Sequence, residues 1–435
     1  MNIIRCISER ILVILRRHGI LGRKERLKYL FSYYIGVKWN AEKIEGKKWE
    51  QLYQSICGQY VEIRMHLLGP SSRIGEFIPR YLIAVEDAKK NSENGILDVF
   101  FLGDYINNND RLTTIMGRNI SIIDKGNADE WGYILTHFPK VVFLKYFWDY
   151  QLRNNERLLK SENTAQYLML TPEEEEEARG KREKMGLNVP FVCISSRDAT
   201  YLATTHPDVD CSYHDYRDSG INNIAPAANY LAEKQIMTVR MGRYVRDKAN
   251  FSNCIDYANK YYDELMDIAL MKDCKFFVGD SNGLCIFPMA LNIPYALKNV
   301  VPAFSNGFGS HPQDMHSLYI FKKYYSKVKN RFLSIKEMME IDKTVASCRY
   351  EISKKYAELG IETVENSPEE ILDLVMEMNA RIDGNWVETE EDIRRQEKYH
   401  RIFEQWRKQE NYRESEVLCA KVGALFLRNN SFLLD

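Results

Sequence analysis

The sequence has almost no net charge and no paired cysteine motif. Its 435 residues contain 60 Lys and Arg against 61 Asp and Glu, a formal net charge of −1 at pH 7. A chain without an excess of basic residues is not expected to bind nucleic acid through overall charge. Its nine cysteines are scattered without a C-x-x-C pair, which excludes zinc-ribbon and thioredoxin-type sites. Several lie in apolar segments, so we expect free thiols and a cytoplasmic protein.

Long apolar runs and excess glycine or proline are also missing. No run approaches the ~18 residues of a transmembrane helix. With 23 Gly and 12 Pro, the chain is neither collagen-like nor a disordered tail. A hydrophobic content of 45% is that of an ordinary globular protein, and the length predicts about two to three domains.

Positive charge is concentrated at the start of the chain. Residues 1–30 contain eight Lys and Arg and two Glu, a net charge of +6, so the other 405 residues carry −7. Apolar residues recur at helical spacing from Ile4 to Leu15 with arginines between them, which predicts a basic amphipathic helix rather than a signal peptide. Two interpretations remain open. The helix docks peripherally on the inner face of the cytoplasmic membrane through anionic lipid, or it packs on the protein.

Alternating strand and helix patterns predict two Rossmann-type halves. In the first, a strand at 61–68, a turn containing Gly and Ser, and a helix at 76–90 form a βα opening. Further strands are predicted at 97–102, 120–123 and 141–144, with a helix at 145–160. In the second half, strands are predicted at 191–195, 237–241, 276–278 and 294–297, and helices at 224–233, at 261–272 and from 284.

Helix start signals mark the boundary between the halves and the C-terminal region. Thr171 and Pro172, followed by the acidic run 173–177, predict a solvated helix that ends near residue 185. After residue 330, helices are predicted at 334–341, 347–359, 367–382, 389–408 and 414–427. The predicted domains are a basic N-terminal segment, two Rossmann-like domains and a helical C-terminal region, at 1–60, 61–185, 186–330 and 331–435. This α/β arrangement, with two domains facing a cleft, is GT-B-like.

Polar residues that follow the strands of the second half predict a diphosphate site. Ligands of open α/β sheets bind beyond the carboxyl ends of the strands. We expect Gly283 and the helix after it to offer backbone N–H groups, and arginines to bind phosphate oxygens. The predicted donor-binding residues are Arg197, Arg217, Arg240, Gly242, Arg243, Asp280, Ser281, Asn282 and Gly283. The alternative is that the arginines only pair with Asp198, Asp215 and Asp218.

These residues lie in motifs that resemble a family of bacterial glycosyltransferases encoded near surface-polysaccharide genes. The segments IAPAANYLAEKQIMTVRMGR and DIALMKDCKFFVGDSNGLCIFPMALNIPYALKN carry the resemblance, with Ser196-Arg197-Asp198 and Tyr216-Arg217-Asp218 before them. The likeness is specific in residues 191–300 and looser in the first half. It implies a GT-B fold whose second domain binds a nucleotide-sugar. Asp218 stands where the family has Asn, and Asn282 is an insertion, so the donor is expected to differ.

The resemblance also bears on the general base. Family members tend to have Gly-His after the first strand, where this chain has Gly75-Glu76. The segment 72–76 looks like the turn at which bacterial heptosyltransferases present an acidic residue. Glu76 is therefore our hypothesis for the base. The alternative is that Glu76 only complements the dipole of the helix that it begins.

Other polar motifs are interpreted as loops. Asp208-Val209-Asp210 has the D-x-D pattern of metal-dependent transferases but does not follow a predicted strand. His311 and His316 lie in a polar loop, and their spacing is weak as a metal motif. No metal and no cofactor are expected, since the nucleotide-sugar is a substrate.

The sequence thus predicts a metal-independent glycosyltransferase that moves a sugar from a nucleotide-sugar to a glycan or lipid-linked acceptor. Two alternatives remain. One is a nucleotide-sugar epimerase of GT-B-like fold, which needs no acceptor. The other is a non-catalytic scaffold at the membrane.

Overall fold

The computed structural model of the protein describes residues 62–68, 73–102, 109–123, 141–143, 164–301, 316–346, 348, 351–409 and 420–435. The predicted basic helix within residues 1–30, the predicted helix at 145–160 and His311 lie outside these ranges. Within them, the predicted α/β fold class is confirmed, with two parallel sheets built from strands that alternate with helices.

Four parallel strands form the first sheet, and each begins and ends within one residue of its predicted position. They are β1 (Glu62–Leu68), β2 (Ile96–Leu102), β3 (Ser121–Ile123) and β4 (Val141–Phe143). The order is β3-β2-β1-β4, which is the first part of the Rossmann order. Helix α1 (Ile74–Ser92) follows β1, and helix α2 (Asp110–Met116) follows β2.

Ten more strands follow along the chain. They are β5 (Phe191–Ile194), β6 (Met237–Arg240), β7 (Cys254–Ile255), β8 (Phe277–Gly279), β9 (Tyr295–Val300), β10 (Leu318–Phe321), β11 (Lys323–Ser326), β12 (Arg331–Phe332), β13 (Ile361–Val364) and β14 (Lys421–Val422). Seven form a parallel sheet in the order β7-β6-β5-β8-β9-β10-β14. Its first six strands have the complete Rossmann order 3-2-1-4-5-6, and β14 adds an edge strand. The remaining three form an antiparallel sheet, β12-β11-β13.

The helices after the first sheet are α3 (Pro172–Lys184), α4 (Thr200–Thr205), α5 (Ala225–Glu233), α6 (Tyr257–Lys260), α7 (Glu264–Asp273), α8 (Ile286–Leu291), α9 (Ile335–Ala346), α10 (Ile352–Glu358), α11 (Pro368–Ile382), α12 (Glu390–Gln409) and α13 (Ala424–Asn429). The predicted N-terminal ends of α3 and α11 are confirmed. Their N-cap residues, Thr171 and Ser367, each form a capping box. None of the helices in the described ranges has the length and apolarity needed to cross a membrane.

The sequence predicts a helical C-terminal region, but this region also contains strands. It contributes β13 to the antiparallel sheet and β14 to the edge of the parallel sheet. The predicted helix at 414–427 was wrong at residues 421–422, which form β14 and pair with Leu318 and Tyr319. Two residues are too short for a strand pattern, so only the neighbouring strand fixes this backbone in extended form.

By their internal contacts, the residues separate into two units. The first unit contains the four-stranded sheet. The second contains the other two sheets, α2, and the part of α1 that ends at Val85. The predicted boundary near residue 185 and the predicted cleft stay predictions.

Candidate functional site

The candidate site lies at the carboxyl ends of β5 and β8. These two strands are adjacent, and the strands that follow each along the chain lie on opposite sides of the pair. Such a reversal of strand order is where ligands bind in doubly wound sheets. Residues 195–198 follow β5 and residues 280–283 follow β8, so the fold brings these predicted donor-binding residues to one place.

Asp280 is buried at this point and joins three other segments. Its Oδ2 accepts hydrogen bonds from the backbone N–H of Arg197 and from Oγ of Ser219, each at 2.6 Å. Its Oδ1 accepts one from Nζ of Lys298 at 2.6 Å. Asp280 and Lys298 are 1% and 0% exposed. A buried ion pair is tolerated when both charges are hydrogen-bonded in this way, and here it fixes the turn after β8 to β9.

Two of the predicted arginines meet at this turn. Nη1 of Arg197 contacts the carboxylate of Asp218, and Nη2 of Arg217 donates to the backbone carbonyl of Ser281. Burial, together with the charge of Arg217, lowers the pKa of Arg197 to about 10. The two guanidinium groups therefore repel each other, and an anion bound to both would relieve the repulsion. The alternative prediction was that the arginines pair with nearby carboxylates. Arg197 does so with Asp218.

His214 and Arg73, which the sequence interpretation did not select, lie beside these arginines. Burial, followed by the charges of Arg217, Arg197 and Arg73, lowers the pKa of the His214 imidazole to about 3. His214 is therefore neutral at pH 7. Burial disfavours the charge of Arg73, but Glu76 and Tyr213 outweigh it and raise the Arg73 pKa. We call the following residues the arginine cluster: Arg73, Arg197, His214, Arg217 and Ser281.

Three buried polar atoms of the arginine cluster have no hydrogen-bond partner within the described ranges. They are Oγ of Ser281, Nε of Arg217 and Nδ1 of His214. Leaving such an atom unpaired costs about 1–3 kcal/mol, and nearly all buried polar atoms in proteins are paired. A guanidinium N–H, a hydroxyl and a neutral imidazole can all bond to the oxygens of an anion. The arrangement thus suits a ligand with several phosphate oxygens.

The start of α1 packs directly on the turn after β8. A Cβ atom added to Gly75 would lie 2.8 Å from Cα of Gly283, so only glycine fits at this approach. The next residue is Glu76, the predicted base. Its Oε1 lies 3.5 Å from Nη1 of Arg73, and its Oε2 lies 3.0 Å from Nη2 of Arg80. Glu76 therefore lies in the first turn of α1 beside the arginine cluster, with its carboxylate paired on both oxygens.

The helix that follows Gly283 is shorter than the sequence interpretation required. Oδ1 of Asn282 accepts a hydrogen bond from the N–H of Leu284 at 2.9 Å. The chain then makes a single 3₁₀ turn, Gly283–Cys285, before the six residues of α8. One N–H is already capped and the dipole of so short a helix is small. An anion at this turn would therefore be bound by the side chains of the arginine cluster and not by the helix.

The three predicted residues at the end of β6 lie in different surroundings. Arg240 is 1% exposed, and its Nη1 lies 3.6 Å from Oδ1 of Asp256. Burial lowers the Arg240 pKa. Gly242 has a φ of 137°, which favours glycine. Arg243 packs its guanidinium against two tyrosine rings. The assignment of these three residues to the donor stays a prediction.

The remaining sequence candidates lie in loops. Val209, the middle residue of the D-x-D pattern, is 53% exposed, and Asp210 accepts a hydrogen bond from the N–H of Ser212 at 3.0 Å. His316 is exposed. In the part of the chain that the structure covers, no group of three His, Cys, Asp or Glu side chains is arranged to hold a metal ion.

No protein-family model matches the chain, and no curated protein matches its sequence. The fold is similar to the solved structure of a glycosyl transferase family 9 protein from Veillonella parvula, at 12% identity and a TM-score of 0.41, over 73% of this chain and 98% of that one. It is also similar to E. coli ADP-heptose LPS heptosyltransferase II, at 13% identity and 0.35, over 54% and 84%. A third is the wall teichoic acid polymerase TagF, at 11% identity and 0.28, over 85% and 100%. Glycosyltransferases are thus among the solved structures to which this chain is similar.

Proposed function

We propose that this chain is a metal-independent glycosyltransferase that moves a sugar from a nucleotide-sugar donor to a glycan or lipid-linked acceptor in surface polysaccharide synthesis. The observation that carries the proposal is the arginine cluster at the point of strand reversal. Three of its polar atoms are buried without a partner among the described residues, and they lie beside several positive charges. The diphosphate of a nucleotide-sugar has the charge and the number of oxygen atoms that such a cluster requires.

In this proposal the cluster stabilises the leaving group. When the bond between the sugar C1 and the diphosphate oxygen breaks, negative charge grows on the nucleoside diphosphate. Arg197 and Arg217 are already fixed at the turn by Asp218 and by the Ser281 carbonyl. Groups held in place before the reaction stabilise such charge without reorganisation. The neutral imidazole of His214 adds a donor without adding further repulsion between cations.

Glu76 is the proposed base. The acceptor hydroxyl oxygen forms a bond to C1 as the diphosphate departs, and its proton passes to the Glu76 carboxylate. Contacts with Arg73 and Arg80 orient this carboxylate. Its side chain is 33% exposed, so an acceptor can reach it, and the contact of Gly75 with Gly283 holds it near the donor turn.

Residues 1–30 are proposed to place the enzyme on the membrane that carries a lipid-linked acceptor. The proposal depends on the charge of +6 and on the apolar spacing of this segment. Cosedimentation of the full chain with anionic and with neutral vesicles tests it. Removal of residues 1–30 is expected to abolish binding to anionic vesicles, and equal binding without them contradicts the proposal.

A thermal-shift panel of UDP, GDP, CMP, ADP and TDP tests the function. Ligand at 100 times its dissociation constant stabilises a protein by about 2.7 kcal/mol, so one nucleotide should raise the melting temperature clearly. The nucleotide-sugar of that nucleotide is then incubated with the enzyme with and without acceptor extract. Sugar transfer supports the proposal, release of a free nucleotide-sugar isomer indicates an epimerase, and no shift with any nucleotide indicates a scaffold.

A further inference from the structure

Four side chains, from the segment after β6, from α4 and from the segment before α7, form an aromatic surface. The guanidinium of Arg243 lies 5.0 Å from the ring centroids of both Tyr244 and Tyr262. The ring centroid of Tyr201 lies 6.3 Å from that of Tyr244. We call these four residues, Tyr201, Arg243, Tyr244 and Tyr262, the tyrosine patch. A guanidinium that contacts the faces of both rings restricts their orientations.

Two features of the tyrosine patch point to a ligand. Tyr244 is 42% exposed although its backbone φ is 54°, a conformation that a bulky residue adopts only where the surroundings impose it. The hydroxyl oxygen of Tyr262 is buried without a hydrogen-bond partner among the described residues. An exposed ring held in place and an unpaired hydroxyl together provide one stacking surface and one hydrogen-bonding group.

The tyrosine patch adjoins the arginine cluster. Asp198, which directly follows Arg197, accepts hydrogen bonds from the N–H of Thr200 at 2.8 Å and from the N–H of Arg246 at 3.1 Å. These bonds join the loop after β5, which leads to Tyr201, to the loop after β6, which contains Tyr244. A ligand on Arg197 therefore has the patch next to it along the sheet edge.

The opposite side of the arginine cluster is filled by the protein. Nζ of Lys298 donates to Oγ of Ser196 at 2.9 Å, and Asn299 and Asn366 exchange two hydrogen bonds of 2.7 Å. Nζ of Lys322 donates to the carbonyl of Asp218 at 2.7 Å. These groups are buried and paired at the ends of β9 and β10, so the rest of a ligand anchored at the arginine cluster extends toward β6.

We infer that the tyrosine patch stacks the base of the nucleoside diphosphate whose phosphates the arginine cluster binds. In a Rossmann sheet the nucleoside half of a ligand reaches the end of the second strand, which here is β6. Aromatic rings bind bases through their faces. The inference rests on the proposed function and extends it, because it names the residues that select a nucleotide over a plain diphosphate.

Calorimetric titration of the full chain with inorganic pyrophosphate and with each of the five nucleotides tests the inference. The variants are Tyr244→Leu and Tyr201→Leu, with Tyr244→Phe as the conservative substitution. Tyr261→Leu is the control, because Tyr261 is also 42% exposed. We expect the leucine variants to bind the preferred nucleotide about tenfold more weakly and pyrophosphate unchanged. Tyr244→Phe and the control should bind both ligands like the wild type. Unliganded melting temperatures show that each variant is folded.

The outcomes separate the inference from the function. If the leucine variants bind the nucleotide as tightly as the wild type while Arg217→Ala no longer binds it, the tyrosine patch does not bind the base. The inference then fails and the proposed function is still supported. If wild type binds nucleotide no more tightly than pyrophosphate, the inference is overturned and the phosphate site stands. If neither ligand binds, the proposed function fails and the inference fails with it.

Discussion

Gly75 and Gly283 meet backbone to backbone, although 208 positions separate them in the printed sequence. A Cβ on Gly75 would lie 2.8 Å from Cα of Gly283, and a Cβ on Gly283 would lie 3.3 Å from the backbone nitrogen of Gly75. The contact sets the distance between the start of α1, which carries Glu76, and the turn after β8, which carries Ser281. Any side chain at Gly75 must separate these two segments.

Substitution Gly75→Ala is therefore expected to reduce both stability and nucleotide affinity. The added methyl group meets backbone that cannot rotate away, and overpacking of this kind costs about 1–3 kcal/mol. Urea denaturation and calorimetric titration measure the two effects. Gly180→Ala in α3 is the matched control. A Cβ there meets nothing within 4 Å, and removing a glycine from a helix stabilises by up to about 1 kcal/mol. Equal behaviour of the two variants contradicts the role given to the contact.

Substitution Arg217→Lys is expected to weaken binding of the preferred nucleotide by roughly 10- to 100-fold. The ammonium group keeps the charge but cannot bond to both the Ser281 carbonyl and a phosphate with the geometry of a guanidinium. Arg246→Lys is the control, because Arg246 is exposed and its guanidinium pairs with Asp247. Calorimetric titration measures both. Unchanged affinity in Arg217→Lys removes Arg217 from the site.

Substitution Glu76→Gln is expected to lower kcat by about 10²- to 10⁴-fold and to leave nucleotide affinity unchanged, because the amide cannot accept the acceptor proton. Glu86→Gln, on the same helix and away from the turn, should keep the wild-type rate. Steady-state rates with donor and acceptor decide the matter. A near-normal rate in a folded Glu76→Gln protein would end the assignment of Glu76 as the base.

Substitution Lys298→Met is expected to destabilise the protein by about 3–5 kcal/mol, because it leaves the buried carboxylate of Asp280 without its partner. Lys329→Met removes an ion pair of similar length, 2.7 Å to Glu337, but Lys329 is 53% exposed. That loss should be below about 1 kcal/mol. Urea denaturation compares the two variants, and the addition of Asp280→Asn should recover part of the stability that Lys298→Met loses. Equal losses of stability in Lys298→Met and Lys329→Met would contradict a buried ion pair between Lys298 and Asp280.

Asp267 predicts a dependence of stability on pH. Burial, with a smaller contribution from the charge of Glu264, raises the pKa of Asp267 to about 7. Hydrogen bonds from Tyr257 and Asn109 and the charge of Arg243 lower the pKa but do not outweigh burial. The folded protein therefore holds a proton on Asp267 that the unfolded chain releases near pH 4. Between pH 4 and pH 7 the folded state binds more protons, so raising the pH lowers stability.

The variant Asp267→Asn lacks this ionisation. From pH 5 to pH 8 the free energy of unfolding should fall more in the wild type than in Asp267→Asn. Urea denaturation at the two pH values measures the difference. A parallel change in both proteins shows that Asp267 does not carry the effect.

Strands β1 to β6, β8 and β9 of the parallel sheets were predictable because their signals are local. The apolar strand Phe191–Ile194 and the capping residues Thr171 and Ser367 are each recognised within a few residues of sequence. Strands β7 and β10 to β14 were not predicted. Three of them, β7, β12 and β14, have only two residues each, too few for a strand pattern. The other three, β10, β11 and β13, have four residues each and were also missed.

The candidate site was also predictable only in part. Arg197 and Asp280 follow recognisable strands, so their common position follows from the topology. Arg217 does not follow a strand but lies in the short turn Ser212–Arg217, where the polar motif Tyr216-Arg217-Asp218 marked it. Arg73 and His214 lie on irregular segments, and only the three-dimensional fold shows that they approach the same turn. Lys298 has a signal in the sequence, since a lysine within a mostly apolar strand requires a buried partner.

The edge strand β14 has a consequence for synthesis on the ribosome. β10 ends at Phe321, and its partner β14 begins only at Lys421. At roughly 5–20 residues per second, the nascent chain carries β10 as an open edge for about 5–20 seconds before β14 emerges. Open edges recruit other strands, and a lysine pair, Lys322 and Lys323, follows β10 directly, where charge discourages such pairing. The seven-stranded sheet that carries the candidate site is therefore completed late, by the pairing of β14 with β10.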